Sequence, residues 1–178
     1  MFEETYVFQG KHANYVKKIV DELGLFNRNL DVLILAPIIG FLNGRKADKH
    51  KGEASTKIFT EQILKEKTKL EFVFKLIAIL DKSLNMNQEE RINQVFREKS
   101  QEKLLQNFNK YIRGGVEFLY EKAHDLNQSQ DHNSNINISS PKQKERCIYN
   151  FFEYIRAFEE DLDIEEEESL EDIINEFQ

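Results

Sequence analysis

Residues Leu30–Lys46 read LDVLILAPIIGFLNGRK, and the fold turns on how that stretch is interpreted. Of the thirteen residues Leu30–Leu42, only Asp31, Pro37 and Gly40 are not strongly apolar. Thirteen residues fall short of the about 20 needed to span a bilayer. An apolar run this long, bounded by polar signals, reads as a helix buried on most sides. Asn29 is placed to cap its start, and Asp31 in the first turn faces the positive end of the helix dipole. Pro37 removes a backbone donor, which predicts a kink or a division of the helix. Gly40 admits a close neighbour, and Asn43-Gly44 suits a left-handed C-cap. On this reading Ile34, Leu35, Ile38 and Phe41 are core residues.

Working outward, the N-terminal Thr5-Tyr6-Val7-Phe8 is a short β-prone run. With no clear second strand it reads as a lone extended arm. Lys11–Leu23 carries Tyr15, Val16, Ile19, Val20 and Leu23 at helical spacing, and Gly24 ends it. Beyond Gly44, the polar stretch 45–56 reads as an exposed loop and Ile58–Lys65 as a short helix. Lys69–Leu84 carries the stripe Leu70, Val73, Phe74, Ile77 and Leu80, widened by Phe72, Leu76 and Ile79. Asn87, three residues before Glu90, opens a helix with a reciprocal cap. Leu104, Leu105, Phe108, Tyr111 and Ile112 face the core on the next. Arg113-Gly114-Gly115 reads as a break, after which Val116, Leu119, Tyr120 and Ala123 continue on a further helix.

The C-terminal part is different. Residues 127–140, NQSQDHNSNINISS, are poor in core-forming side chains and predict a flexible loop. Ser140 and Pro141 open a helix over 141–160 expected to pack on the core, with Ile148, Phe151, Phe152, Ile155 and Phe158 as its stripe. Residues 159–178 hold eleven acids and no base, leaving 25 bases against 21 acids in the other 158 residues. Within 161–178, Leu170, Ile173, Ile174 and Phe177 form a small apolar stripe on an otherwise acidic helix. Too short to be stable alone, it either folds back on the body or docks into a groove on a partner. The fold class expected is therefore all-α. A single helical domain of six or seven helices, residues 1–126, surrounds the central helix, with an extended N-terminal arm and an acidic C-terminal tail.

The chemistry expected is sparse. Four histidines stand far apart, and the one cysteine, Cys147, can make neither an internal disulfide nor a structural zinc site. Its bland reading is a small, partly buried apolar side chain. Asn43-Gly44-Arg45-Lys46 lacks the glycines of a phosphate loop, and Gly114-Gly115 is too sparse for a dinucleotide fingerprint. No catalytic, cofactor or metal residue and no small-molecule substrate is predicted. The acidic N-terminus carries no secretory signal, no segment spans a membrane, and a reducing cytoplasm fits the single thiol. The cations Arg45, Lys46, Lys49 and Lys51 are the best candidates for phosphate contact, since clustered bases on a loop supply it. Leu170, Ile173, Ile174 and Phe177 are the candidates for docking a partner.

Several segments together resemble a known family. They are Leu25-Phe26, Asp31-Val32, ILAPIIGF at 34–41, Asn43-Gly44-Arg45-Lys46, Leu76-Ile77-Ala78, Glu89-Glu90-Arg91-Ile92, Phe96, and YIRGGVEFL at 111–119. The chain resembles the small accessory proteins encoded beside DNA phosphorothioation (Dnd) genes and in related phage-defence cassettes. The resemblance covers about residues 5–125; the Asn-rich loop, the last long helix and the tail lie outside it. It implies a non-enzymatic accessory subunit of an antiphage complex that senses or handles DNA, docked to a larger SMC-like or ABC-type ATPase or a nuclease. The rival is a freestanding DNA-binding regulator, for which no helix-turn-helix signature is visible.

Overall fold

The computed structural model describes residues 2–97, 101–124, 141 and 144–157. It is mostly helical with one two-stranded sheet, and it divides into two compact units, 1–121 and 122–178. In chain order the elements are β1 (Tyr6–Gln9), α1 (Lys11–Lys17) continuing as a π-helical turn (Lys18–Glu22), α2 (Asn29–Leu42), β2 (Ser55–Ile58), α3 (Thr60–Lys65), α4 (Lys67–Leu80), α5 (Gln88–Phe96) and α6 (Glu102–His124). Residues 144–157 form a further helix, α7.

The N-terminal arm is not alone. β1 pairs antiparallel with β2, with Tyr6 opposite Ile58 and Phe8 opposite Thr56. Phe8, Thr56 and Ile58 are buried while Val7 and Lys57 face outward, the alternation a half-buried strand requires. Ser55–Ile58 therefore ends the stretch read as loop, and α3 starts two residues later than expected. Gly10, at φ +56°, turns the chain from β1 into α1. At the far end Gly24, at φ +67°, donates its N–H to Val20 O at 3.1 Å, a left-handed helix cap, and Leu25 N–H reaches back to Ile19 O at 3.1 Å.

α2 runs unbroken through Pro37. Its N-cap is Arg28 rather than Asn29, which is the first helical residue and has a buried Oδ1 without a hydrogen-bond partner. Asp31 in the first turn accepts from Arg28 at 2.6 Å. The buried face is Leu30, Val32, Leu33, Ala36, Pro37 and Gly40, whereas Ile34, Leu35, Ile38 and Phe41 are only half-buried. The smaller face turns inward because α6 approaches it backbone to backbone. Leu33→Ala should accordingly cost about 2–5 kcal/mol and Leu35→Ala distinctly less. Equal losses in urea melts would contradict this orientation.

Phe74 of α4, Phe108 of α6 and Phe2 form an edge-to-face triangle, with centroids 5.4, 6.1 and 6.3 Å apart. α4 buries Leu70, Val73, Phe74, Ile77 and Ala78, but Phe72, Leu76 and Leu80 are exposed, contrary to the wider stripe expected. It stops at Leu80 because the Asp81 carboxylate takes Ser83 N–H at 2.8 Å and turns the chain. α5 starts as expected: Asn87 Oδ1 accepts from Glu90 N–H at 2.9 Å and Glu90 Oε2 from Asn87 N–H at 2.8 Å. Gly114-Gly115 is no break, for α6 is continuous through both.

In the second unit, α7 buries Cys147 and Asn150, and Asn150 Nδ2 donates to Ala123 O at 3.5 Å. Burial pushes the Cys147 thiol pKa up, which suits the inert role. Phe152 and Ile155, expected in an apolar stripe, are exposed. Phe158, the loop 127–140 and the tail 161–178 lie outside the described residues.

Candidate functional site

The two glycine-bearing segments singled out in the sequence, GFLNGRK and YIRGGV, meet face to face. Gly44, at φ +60°, reverses the chain so that Arg45 N–H returns to Gly40 O at 2.7 Å. The segment after it then lies along α6. A side chain on Gly114 would strike Arg45 O, one on Gly115 would strike Ala36 O, and one on Gly40 would strike Tyr111 O. Three glycines thus bring α2, α6 and the loop into backbone contact. Ala47 N–H donates to Lys110 O at 3.0 Å, and Arg113 Nε donates to Ala47 O at 2.9 Å. A loop rich in charge is held to the helix by main-chain groups, which fixes where its side chains can go.

Those side chains divide into two classes. Arg45 donates from Nη2 to both carboxylate oxygens of Glu121, at 2.7 and 2.8 Å, and lies 6.0 Å from the Phe118 ring centroid. Lys46 donates to Ser83 Oγ at 2.6 Å, pairs with Asp81 Oδ2 at 3.3 Å and sits 4.5 Å over the Tyr111 ring. Both are engaged within the fold, so the stretch is not the uniformly exposed loop expected. Lys49 and Lys51 are exposed.

Asp81, which the sequence did not mark, anchors this arrangement. It is 2% exposed and also accepts from Asn107 Nδ2 at 2.7 Å. Burial alone would raise its pKa, but bonds from Ser83, Asn107 and Tyr111 outweigh that and bring it down to about 2. Tyr111 is pushed up to about 12, by burial and then by Asp81. Arg91, also buried, donates from Nη1 to Asp81 O at 3.2 Å. The only sequence hint was an acid directly after an apolar stripe, with a serine two residues on.

A second cluster lies on the other side of Arg113. The buried His12 Nε2 and Lys11 Nζ both reach Glu117 Oε1 at 2.8 Å. Burial pushes the imidazole pKa down and Glu117 only partly offsets it. The neutral ring therefore donates Nε2–H to the carboxylate. Burial would raise Glu117, yet the bonds from Lys11 and His12 hold it below the usual carboxylate range. Among the described residues, no group of three or more His, Cys, Asp or Glu side chains is placed to hold a metal ion. No described helix is long and apolar enough to cross a membrane.

The family model described as DNA sulphur modification system-associated protein 4 matches residues 9–151, which contain the whole glycine-paired seam. The chain belongs to this family. Membership agrees with the resemblance read from the sequence and extends it beyond residue 125, through the loop and into α7. No curated protein and no solved structure matches the chain. For a member of the DNA sulphur modification system-associated protein 4 family, the name places it with other proteins of that system. The partner-docking candidates Leu170, Ile173, Ile174 and Phe177 lie outside the described residues.

Proposed function

We propose that this protein is a non-enzymatic accessory subunit of an antiphage complex that senses or handles DNA, docking a larger SMC-like or ABC-type ATPase or a nuclease. Its family supports an association with a DNA sulphur modification system. The observation that carries the docking part is a ridge on α4 and α5. Phe72, Leu76 and Leu80 recur every fourth residue along α4, and Phe72 is 63% exposed. Lys75, between Phe72 and Ile79 on the helix surface, lies 5.6 Å over the Phe96 ring, which brings the exposed Ile92 and Phe96 of α5 to the same ridge. A contiguous apolar surface of this kind marks an interaction site. Lys75 lies within it, so the occupant this reading calls for is an apolar groove or helix with an acidic edge on the larger protein. Lys49 and Lys51 are the cations this reading turns toward DNA.

Purification of the native protein from cells carrying its defence genes, with mass spectrometry of what accompanies it, tests the proposal. The wild type should bring down a large ATPase or nuclease. The double variant Phe72→Glu, Leu76→Glu should lose it while staying within about 0.5 kcal/mol of wild-type stability, as surface changes do. A wild type that purifies alone, or a folded double variant that keeps its partner, would sink the docking role.

A further inference from the structure

Beside Arg113 the structure holds a cavity of about 230 Å³ lined by Tyr6, Gln9, His12, Lys49, Asn109 and Arg113, with Val7 and Phe8 as its apolar part. Its charge is lopsided. Arg113 gives its Nε to Ala47 O at 2.9 Å and has no ion pair among the described residues. Lys49 has neither an ion pair nor a hydrogen bond among them. The nearby acids are already taken: Glu117 by Lys11 and His12 at 2.8 Å each, and Asp48 by Lys110 at 3.0 Å. Two cations therefore line the cavity without an ion pair of their own, and for Arg113, the half-buried one, that is costly until an anion joins it.

The donors also have a shape. Arg113 on α6 offers the terminal nitrogens of its fork, Lys49 on the loop offers an ammonium, and Tyr6 on β1 offers a phenol. Burial raises the Tyr6 pKa, so the phenol stays a donor. Donor-bearing side chains supplied to one cavity by three separate elements suit a tetrahedral anion better than a flat carboxylate. The volume is below the about 300 Å³ at which pockets for drug-sized ligands begin. It accommodates one phosphate and part of what it is attached to, and not a whole dinucleotide. We propose that this cavity is a phosphate-binding site, taking a single phosphate group presented by the DNA backbone or by a free nucleotide. The seam explains why the site forms: Gly114 lets the loop lie on α6, which brings Lys49 to the same cavity as Arg113. The site requires no protein partner, so it stands or falls apart from the docking ridge.

Calorimetric titration of the full chain with inorganic phosphate, deoxyadenosine monophosphate and a short DNA duplex tests the site. Lys49→Ala and Arg113→Gln should each weaken binding at least about tenfold, as loss of one charge-assisted hydrogen bond implies. Lys51→Ala, on the same loop but outside the cavity lining, should bind inorganic phosphate and the mononucleotide like wild type. A mononucleotide that binds and displaces the duplex identifies a free nucleotide as the ligand. Binding of the duplex that the mononucleotide does not match, and that inorganic phosphate competes away, identifies the backbone. Lys49 is exposed, so Lys49→Ala should fold and keeps the test decisive even where Arg113→Gln lowers the melting temperature. Failure of all three probes to bind would overturn the site, as would wild-type affinity in folded Lys49→Ala.

Discussion

Gly115→Ala is expected to destabilise the protein by about 1–3 kcal/mol, the usual cost of forcing extra volume into a packed contact. The sign is the informative part. Glycine inside a helix is about 1 kcal/mol worse than alanine, so on propensity alone the substitution should stabilise α6. Here the new methyl would fall on the carbonyl of Ala36, with Ala36 Cα 3.0 Å away behind it. Those are main-chain atoms of a neighbouring helix and cannot swing aside as a side chain would. The two helices must separate, and the Leu33 and Ala36 face loses contact with α6 when they do. Gly44→Ala is the control: nothing lies within 4 Å of the added methyl, and only the strain of φ +60° opposes it, at about 1–2 kcal/mol. Urea melts of the two variants decide the matter. A Gly115→Ala protein as stable as wild type would mean that α2 and α6 do not touch there.

The same glycine pair shows where the sequence was legible and where it was not. The helical periods of α1, α4 and α6 and the Asn87–Glu90 cap could be read directly, because each is a local pattern over a turn or more. Gly114-Gly115 is equally consistent locally with a break and with a close helix contact. Only the position of α2 decides, and no local signal carries it. The buried face of α2 was misassigned for a related reason. The run 30–42 is apolar nearly all round, so hydrophobicity could not say which side turned inward. Gly40 does read as admitting a close neighbour, and together with the small Ala36 and with Pro37 it could have marked that side as the docking face. β2 went unseen because Ser55–Ile58 has only four residues, too few for an alternation to stand out from a helix start. Of the four cations in the basic stretch, sequence could not separate Arg45 and Lys46 from Lys49 and Lys51, because their acids, Glu121 and Asp81, lie far along the chain. Asp81 itself looked like one more surface acid.

Asp81 is therefore the residue where structure changes expectation most, and Asp81→Ala should cost about 3–5 kcal/mol, since several donors share its buried carboxylate and each one left without an acceptor costs about 1–3 kcal/mol. The loss has several parts. Lys46 loses the carboxylate it reaches at 3.3 Å, and Asn107 Nδ2 and Ser83 N–H lose acceptors at 2.7 and 2.8 Å. Ser83 N–H is the bond that ends α4, so the turn toward α5 should loosen as well. Asp81→Asn keeps the shape but sets a donor amide among donors, and it should recover only part of the stability. The pH dependence gives an independent check. The folded carboxyl sits at about 2 against an ordinary 3.8, so the unfolded chain binds the proton first as pH falls. Its contribution is complete above about pH 4 and is lost as pH drops through 3.8 towards 2, amounting to about 2 kcal/mol over that window. Urea melts between pH 5 and about 2 should show a steeper loss in wild type than in Asp81→Asn, which has no proton to take up at this site. Parallel pH profiles would mean that Asp81 is an ordinary solvated acid, and that Lys46 is held in place by something else.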